Sequence, residues 1–180
     1  MTVAPGDLLP PIALTDTAGR TVRLDELRGE DVVLVFLRHL ACLPCREHLM
    51  EVLSHRERWG VRVVVVAFAS PSALVAYQRK SGLEDLLVLS DELRLTYAEF
   101  GLGRGSFARV WLHPAVWWRY ARLIAAGRRP TPAQEDPLQL GGDALVDAAG
   151  RVRWIYRSRG PEDRPSAPQL QRALSAMRRA

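Results

Sequence analysis

Apolar and polar positions along this chain follow more than one rhythm. The stretches "DVVLVFL" (31–37) and "VRVVVVAFA" (61–69) are unbroken apolar runs of strand length, rich in β-branched residues. Such runs predict strands covered on both faces, as in a parallel sheet. Between them Leu49, Val52 and Leu53 are spaced for one helical face, charges fill the rest, and Gly60 supplies a stop. Residues 31–69 therefore predict one strand–helix–strand unit. The junction before its helix lies at the sheet edge where ligands and chemistry collect in open α/β folds.

The flanking segments extend this pattern. "PPIALTDTAGRTVRLDEL" predicts a short strand, a turn at Ala18-Gly19 and a second strand carrying Val22 and Leu24. "SPSALVAYQRKSG" (70–82) predicts a helix with Ser70 as N-cap and Pro71 in its first position. "DLLVLS" predicts a third buried strand, and "DELRLTYAEFG" a short helix ending at Gly101. The segment 102–138 is rich in arginine, aromatics and proline, with a helix expected near 114–126. "DALVD" and "RVRWIY" alternate around "AAG", which predicts a hairpin, and "APQLQRALSAMRRA" predicts a closing helix. The expected order is β-hairpin, βαβ, αβ, α, insert, ββ, α.

Composition narrows the function. A chain of 180 residues suits one domain over 1–180, with the insert at about 102–138. The formal net charge is +5, yet Lys80 is the only lysine and the arginines are scattered, apart from "GRR" (127–129) and "RR" (178–179). Without a basic stripe, nucleic-acid binding is not expected. The N-terminus lacks a basic, then apolar leader, and no run approaches the ~20 apolar residues of a membrane span. A cytoplasmic location follows, with no membrane partner expected. In that compartment two nearby cysteines more often do chemistry or bind metal than staple a fold.

The only cysteines are Cys42 and Cys45, in "HLACLPCREH" (39–48). The thiolate is the reactive form, and a free thiol with a pKa of ~8.5 is mostly protonated near neutrality. Unpaired N–H groups at a helix N-terminus stabilise the anion, and in Cys-x-x-Cys motifs the pKa falls to roughly 3.5–7.5. Cys42 sits where that effect is largest, and Arg38, His39 and Arg46 can add positive charge. Cys45, about one turn inward, is close enough to close a disulfide, so the pair supplies an attacking and a resolving thiol. Two other readings compete. Both cysteines could be small core residues. His39, Cys42, Cys45 and His48 also match zinc-ligand types. Four ligands within ten residues across a turn and a helix can hardly converge tetrahedrally, however, and His113 is alone elsewhere. His48 and His55 are therefore expected as exposed helix residues.

The stretches "FLRHLACLPCREH" and "LQLGGDALVDAAGRVRWIYRSRGPEDRPS", with the N-terminal "GDLLPPIALTDTAGRTVRLDELRGE", resemble the peroxiredoxin-like (AhpC/TSA-like) family of thioredoxin-fold proteins, in the branch related to prostamide/prostaglandin F synthases. The resemblance covers nearly the whole chain. It implies a thioredoxin fold, Cys42 as the attacking cysteine and Cys45 as its resolving partner. Where typical peroxiredoxins carry Pro-x-x-x-Thr-x-x-Cys, this chain has Val35 and His39 at the Pro and Thr positions. Where thioredoxins place a cis-proline facing the dithiol, it has Gly141 or Gly142, whose bare backbone could approach a substrate closely. Arg38, Arg104 and Arg109 are the arginines to weigh for the active site, each expected to be solvated.

The function expected is therefore a thiol oxidoreductase. Cys42 attacks a peroxide, endoperoxide or disulfide, Cys45 closes the intramolecular disulfide, and a thioredoxin-type or other external thiol resets it. No cofactor or metal is called for. A pure disulfide reductase and a redox-sensing interaction module are the alternatives. For the insert, three roles compete: a helix completing the core, a homodimer or membrane-surface contact, or a lid with Trp117 and Trp118 over Cys42.

Overall fold

The unbroken valine runs become the centre of one seven-stranded sheet. In this computed structural model, which describes residues 2–179, strand β3 (Val32–Phe36) lies parallel to β4 (Arg62–Ala67), and β4 lies parallel to β5 (Leu87–Ser90). Two hairpins flank this trio: β1 (Ala13–Asp16) with β2 (Thr21–Arg23), and β6 (Gly142–Val146) with β7 (Val152–Arg157). The sheet order is β2-β1-β5-β4-β3-β6-β7, with β1 antiparallel to β5 and β6 antiparallel to β3.

Every residue of β3 is buried because side chains alternate between two cores. Val33 and Val35 face one side, with Leu49 and Val52 of α1 (Leu43–Trp59), Leu74 of α2 (Pro71–Ser81) and Leu170 and Leu174 of α5 (Ala167–Met177). Val32, Leu34 and Phe36 face the other, with Leu14, Leu24, Tyr97 of α3 (Leu95–Glu99) and Phe100. Burying one such side chain is worth about 1.5–3 kcal/mol, so this double layer is the main source of stability. This is the α/β arrangement that the resemblance implied.

Local punctuation agrees with the sequence. Gly60 ends α1 in the left-handed region (φ +58°), and Ser70 Oγ caps α2 by accepting from Ala73 N. One detail differs: Leu24 leaves the expected second strand and is fully buried in a single 3₁₀ turn, Leu24–Glu26. The turn tucks it under the sheet instead of leaving it on the half-buried edge strand.

The insert holds a π-helical turn (Ala108–Leu112) and α4 (Pro114–Ala125). Its two ends are tied together: Gly105 N donates to Leu138 O, and Leu140 N donates to Gly103 O. It therefore leaves and rejoins the sheet at one point and folds back beside α1.

Candidate active site

Strand β3 ends at Phe36, and the chain enters α1 at Leu43 after a loop of six residues, 37–42. Cys42 is the N-cap of that helix, in extended conformation, and its Sγ accepts from Cys45 N at 3.4 Å. Pro44 sits in the first turn, where its missing N–H costs nothing. Cys42 and Cys45 are joined as a disulfide with Cα atoms 5.3 Å apart, and each is 1% exposed. The connecting loop is anchored from below. Tyr97 Oη donates to Leu37 O (2.6 Å) and Val66 O (3.0 Å), clamping the ends of β3 and β4.

Each sulfur has a guanidinium beside it. Arg38 Nη1 donates to Cys42 Sγ at 3.7 Å, and Arg164 Nη2 to Cys45 Sγ at 3.5 Å. Arg38 was expected to be solvated; it is 1% exposed instead. Its remaining donors meet the carbonyls of Gln139 and Pro137, where the insert rejoins the sheet. Burial lowers its pKa to about 10, so it remains a cation at neutral pH. Arg104 and Arg109 pair with Asp136 and Glu162 instead of approaching the sulfurs.

Arg164 lies just before α5, and its side chain is 5% exposed. It donates to Phe36 O (2.7 Å), Gly142 O (2.9 Å) and Asp143 Oδ2 (3.2 Å). Asp143 Oδ1 meets His48 Nε2 at 2.7 Å. His48, expected on the exposed side of α1, is thus 3% exposed. It belongs to the inward stripe Cys45, His48, Leu49, Val52, which follows the i, i+3, i+4, i+7 spacing. His55 is half-buried, its ring edge against Trp59. Burial alone would push the Asp143 carboxyl up, but His48 and Arg164 together hold it below the usual carboxylate range.

Gly141 and Gly142 are bare for a different reason from the one expected. A Cβ on Gly141 would collide with the Arg164 guanidinium and the Phe36 carbonyl; one on Gly142 would strike the Tyr156 carbonyl. The space facing the dithiol at this position holds Arg164, not an open backbone edge. His39 is buried at the other side of the loop, with no partner for Nδ1 among the described residues. Burial, with the Arg38 charge adding to it, lowers its pKa to about 4, so its imidazole is neutral.

Beside this loop lies a cavity of about 450 Å³, walled by Arg38, His39 and Ala41 on one side and by insert residues that include Val116, Trp117 and Tyr120 on the other. The Trp117 side chain is steadied by Nε1 donating to Trp111 O (2.8 Å). Trp118 does not line the cavity and is 67% exposed, so only Trp117 of the two tryptophans weighed for a lid borders the cavity. Among the described residues no helix is long and apolar enough to cross a membrane.

The chain is similar in sequence and fold to known proteins. The chain is 27% identical over 167 residues to a prostamide/prostaglandin F synthase from Danio rerio, covering 88% of this chain and 81% of that protein. It is 23% identical to peroxiredoxin-like 2C from Bos taurus, covering 84% and 72% respectively. A thiol peroxidase from Chromobacterium violaceum superposes with a TM-score of 0.70 at 19% identity, over 99% of this chain and 90% of that one. The fold is thus the thioredoxin fold in its peroxiredoxin form. Finally, the family model described as AhpC/TSA antioxidant enzyme matches residues 48–160, more than half of the chain, beginning just after the cysteines. This chain belongs to the AhpC/TSA antioxidant enzyme family and is a peroxiredoxin-like thiol oxidoreductase.

Proposed function

We propose that the protein reduces organic hydroperoxides with an apolar body, using Cys42 to attack and Cys45 to resolve. The observation that carries this is the pairing of a helix-capping, guanidinium-flanked cysteine with an apolar cavity whose wall includes the residues just before it. The reduced Cys42 thiolate is held by the α1 N-terminus and by Arg38. Its sulfur takes the near peroxide oxygen, the O–O bond breaks, and the departing alkoxide takes a proton to become an alcohol. Cys42 is left as a sulfenic acid. Cys45 then attacks that sulfur, water departs, and the disulfide forms. An external cytoplasmic dithiol of the thioredoxin type restores both thiols.

Where peroxiredoxins carry Thr, His39 is buried and neutral, which leaves Arg38 as the cation beside the sulfur that attacks. The alternative, a pure disulfide reductase, draws less support. Arg164 fills the face against Gly141 where an extended peptide would lie along the dithiol. The similarity to a protein named prostamide/prostaglandin F synthase also supports this reading.

Stopped-flow mixing of the reduced protein with hydrogen peroxide, cumene hydroperoxide and a protein disulfide tests the reading. Cumene hydroperoxide should oxidise it fastest. Equal rates for the two peroxides would remove the role given to the cavity, and fastest reaction with the protein disulfide would favour the reductase.

A further inference from the structure

The disulfide is not symmetrical in its surroundings. Residues 38, 39 and 41, next to Cys42, wall the cavity. Cys45 lies a turn deeper, against a buried chain of polar groups: Arg164 at its Sγ, Asp143 holding Arg164, and His48 holding the second oxygen of Asp143. These groups come from three separate elements, the segment before α5, strand β6 and helix α1. A buried carboxylate and guanidinium are costly to desolvate, and a hydrophobic set of similar volume would often serve stability equally well. A glycine at 141 is also needed to admit the guanidinium.

We propose that Arg164 is a catalytic residue of the recycling half-reaction, the group that receives the charge on Cys45 when the disulfide is opened at Cys42, with Asp143 and His48 as positioning residues. The inference rests on the dithiol chemistry proposed above. In the step, a reductant thiolate attacks Cys42 Sγ and forms a mixed disulfide. The Cys42–Cys45 bond breaks and its electron pair leaves on Cys45 Sγ as a thiolate. The reductant's second thiolate then attacks the mixed disulfide, closes the reductant's own disulfide and releases Cys42 as a thiolate. Two electrons have passed from the reductant to the protein. A leaving thiol of lower pKa departs faster, and a stabilised reduced form makes the disulfide more readily reduced. A guanidinium 3.5 Å from the departing sulfur provides both effects.

Other charged or titratable groups around this pair are Arg38, Tyr97, Tyr156 and Asp163. Arg38 already serves Cys42. Tyr97 donates to backbone carbonyls, and the Tyr156 hydroxyl donates to Asp163. Arg164 is therefore the cation that faces Cys45.

The test is the reduction equilibrium of the whole protein in glutathione buffers, read by thiol alkylation and mass spectrometry. Arg164→Gln should shift the equilibrium toward the disulfide by about tenfold, about 30 mV for a two-electron couple. Arg164→Lys should recover part of that shift, and Gly141→Ala, which displaces the guanidinium, should imitate the loss. A shift below twofold in Arg164→Gln overturns the inference. If Arg164→Gln does not fold, the Cys45 thiolate absorbance in Cys42→Ser decides instead. A midpoint below the ~8.5 of a free thiol supports the role, and one at or above it refutes it. A reduced wild type inert to every peroxide, with the equilibrium shift intact, would fault the proposed function and not this inference.

Discussion

The dithiol junction and the insert lie on two sides of one cavity, and they are built on opposite plans. At the junction the reactive atoms and their supports are all withdrawn from solvent. Both sulfurs, Arg38, His48 and Asp143 are buried and each of these has a named partner, while the buried His39 Nδ1 beside them has none among the described residues. In the insert the largest apolar side chains are left out: Phe107, Leu112, Trp117 and Trp118 are all more than 60% exposed. The first plan fixes geometry, as a site that must hold a sulfur against a guanidinium requires. The second leaves apolar surface exposed beside the cavity, and of these four side chains Trp117 forms part of its wall. On the proposed function, chemistry and recognition fall to separate regions.

The sharpest way to break this comparison is at the sulfur. Cys42→Ser should abolish oxidation by any peroxide while leaving the fold intact, because a serine hydroxyl caps α1 as the thiol does. Loss of the stopped-flow signal with unchanged circular dichroism is the expected result. In the same titrations Cys45→Ser should show a thiolate transition lower in pH than that of Cys42→Ser, since Cys42 has the helix terminus and Arg38, which forms no ion pair among the described residues.

The next largest effect should come from the buried cluster. Asp143→Ala leaves Arg164 and His48 without their shared carboxylate and should cost about 3–5 kcal/mol, read by urea unfolding. Because the Asp143 carboxyl is held low, its contribution is present above its unfolded value of 3.8 and is lost as pH falls below that. Asp143→Asn should therefore have a flatter stability profile in that acid range. An unchanged profile would mean that the cluster is electrostatically idle.

His39 gives a second pH signature, in a different window. It is buried as a neutral ring, so between pH 6.5 and about 4 the unfolded chain binds a proton that the folded chain does not. Stability should fall by up to about 3 kcal/mol as pH drops through that window. His39→Gln should remove most of the slope, with little effect above pH 7.

The smallest effect is expected in the insert. Trp117→Ala should narrow the preference for cumene hydroperoxide over hydrogen peroxide several-fold, while Trp118→Ala, which touches no part of the cavity, should not. Both changes are at exposed positions and should stay within about 0.5 kcal/mol of wild-type stability. Equal effects of the two variants would erase the distinction between wall and outer face.

These contrasts also explain what could be read in advance. The strands, α1 with its Cys42 cap, α2 with its Ser70 cap and α4 in the insert all follow from local signals. Apolar rhythm, capping residues and stop residues act within a turn or two of the chain. His48 was within reach of the same reasoning, because it completes the inward stripe with Cys45, Leu49 and Val52. Its polarity argued for the surface, and only a partner across the sheet could reverse that. Asp143 carried a weaker signal, a lone acid inside an apolar strand. Arg38 read as solvated because nothing nearby in sequence could satisfy its donors; the carbonyls that do so lie about a hundred residues on, at Pro137 and Gln139.

The sequence by itself determined the individual strands, the helix that starts at Cys42 and the nearness of the two sulfurs, because all of these are set by neighbours in the chain. Tertiary structure alone decided which charges those sulfurs meet. Arg164 is 119 residues from Cys45 and Asp143 is 95 from His48. The pairings exist because β6 lies beside β3, and because Gly141 leaves room for a guanidinium between that strand pair and α1. Burial then makes each of these contacts obligatory, since a charge taken out of water must find its partner wherever the fold has brought one.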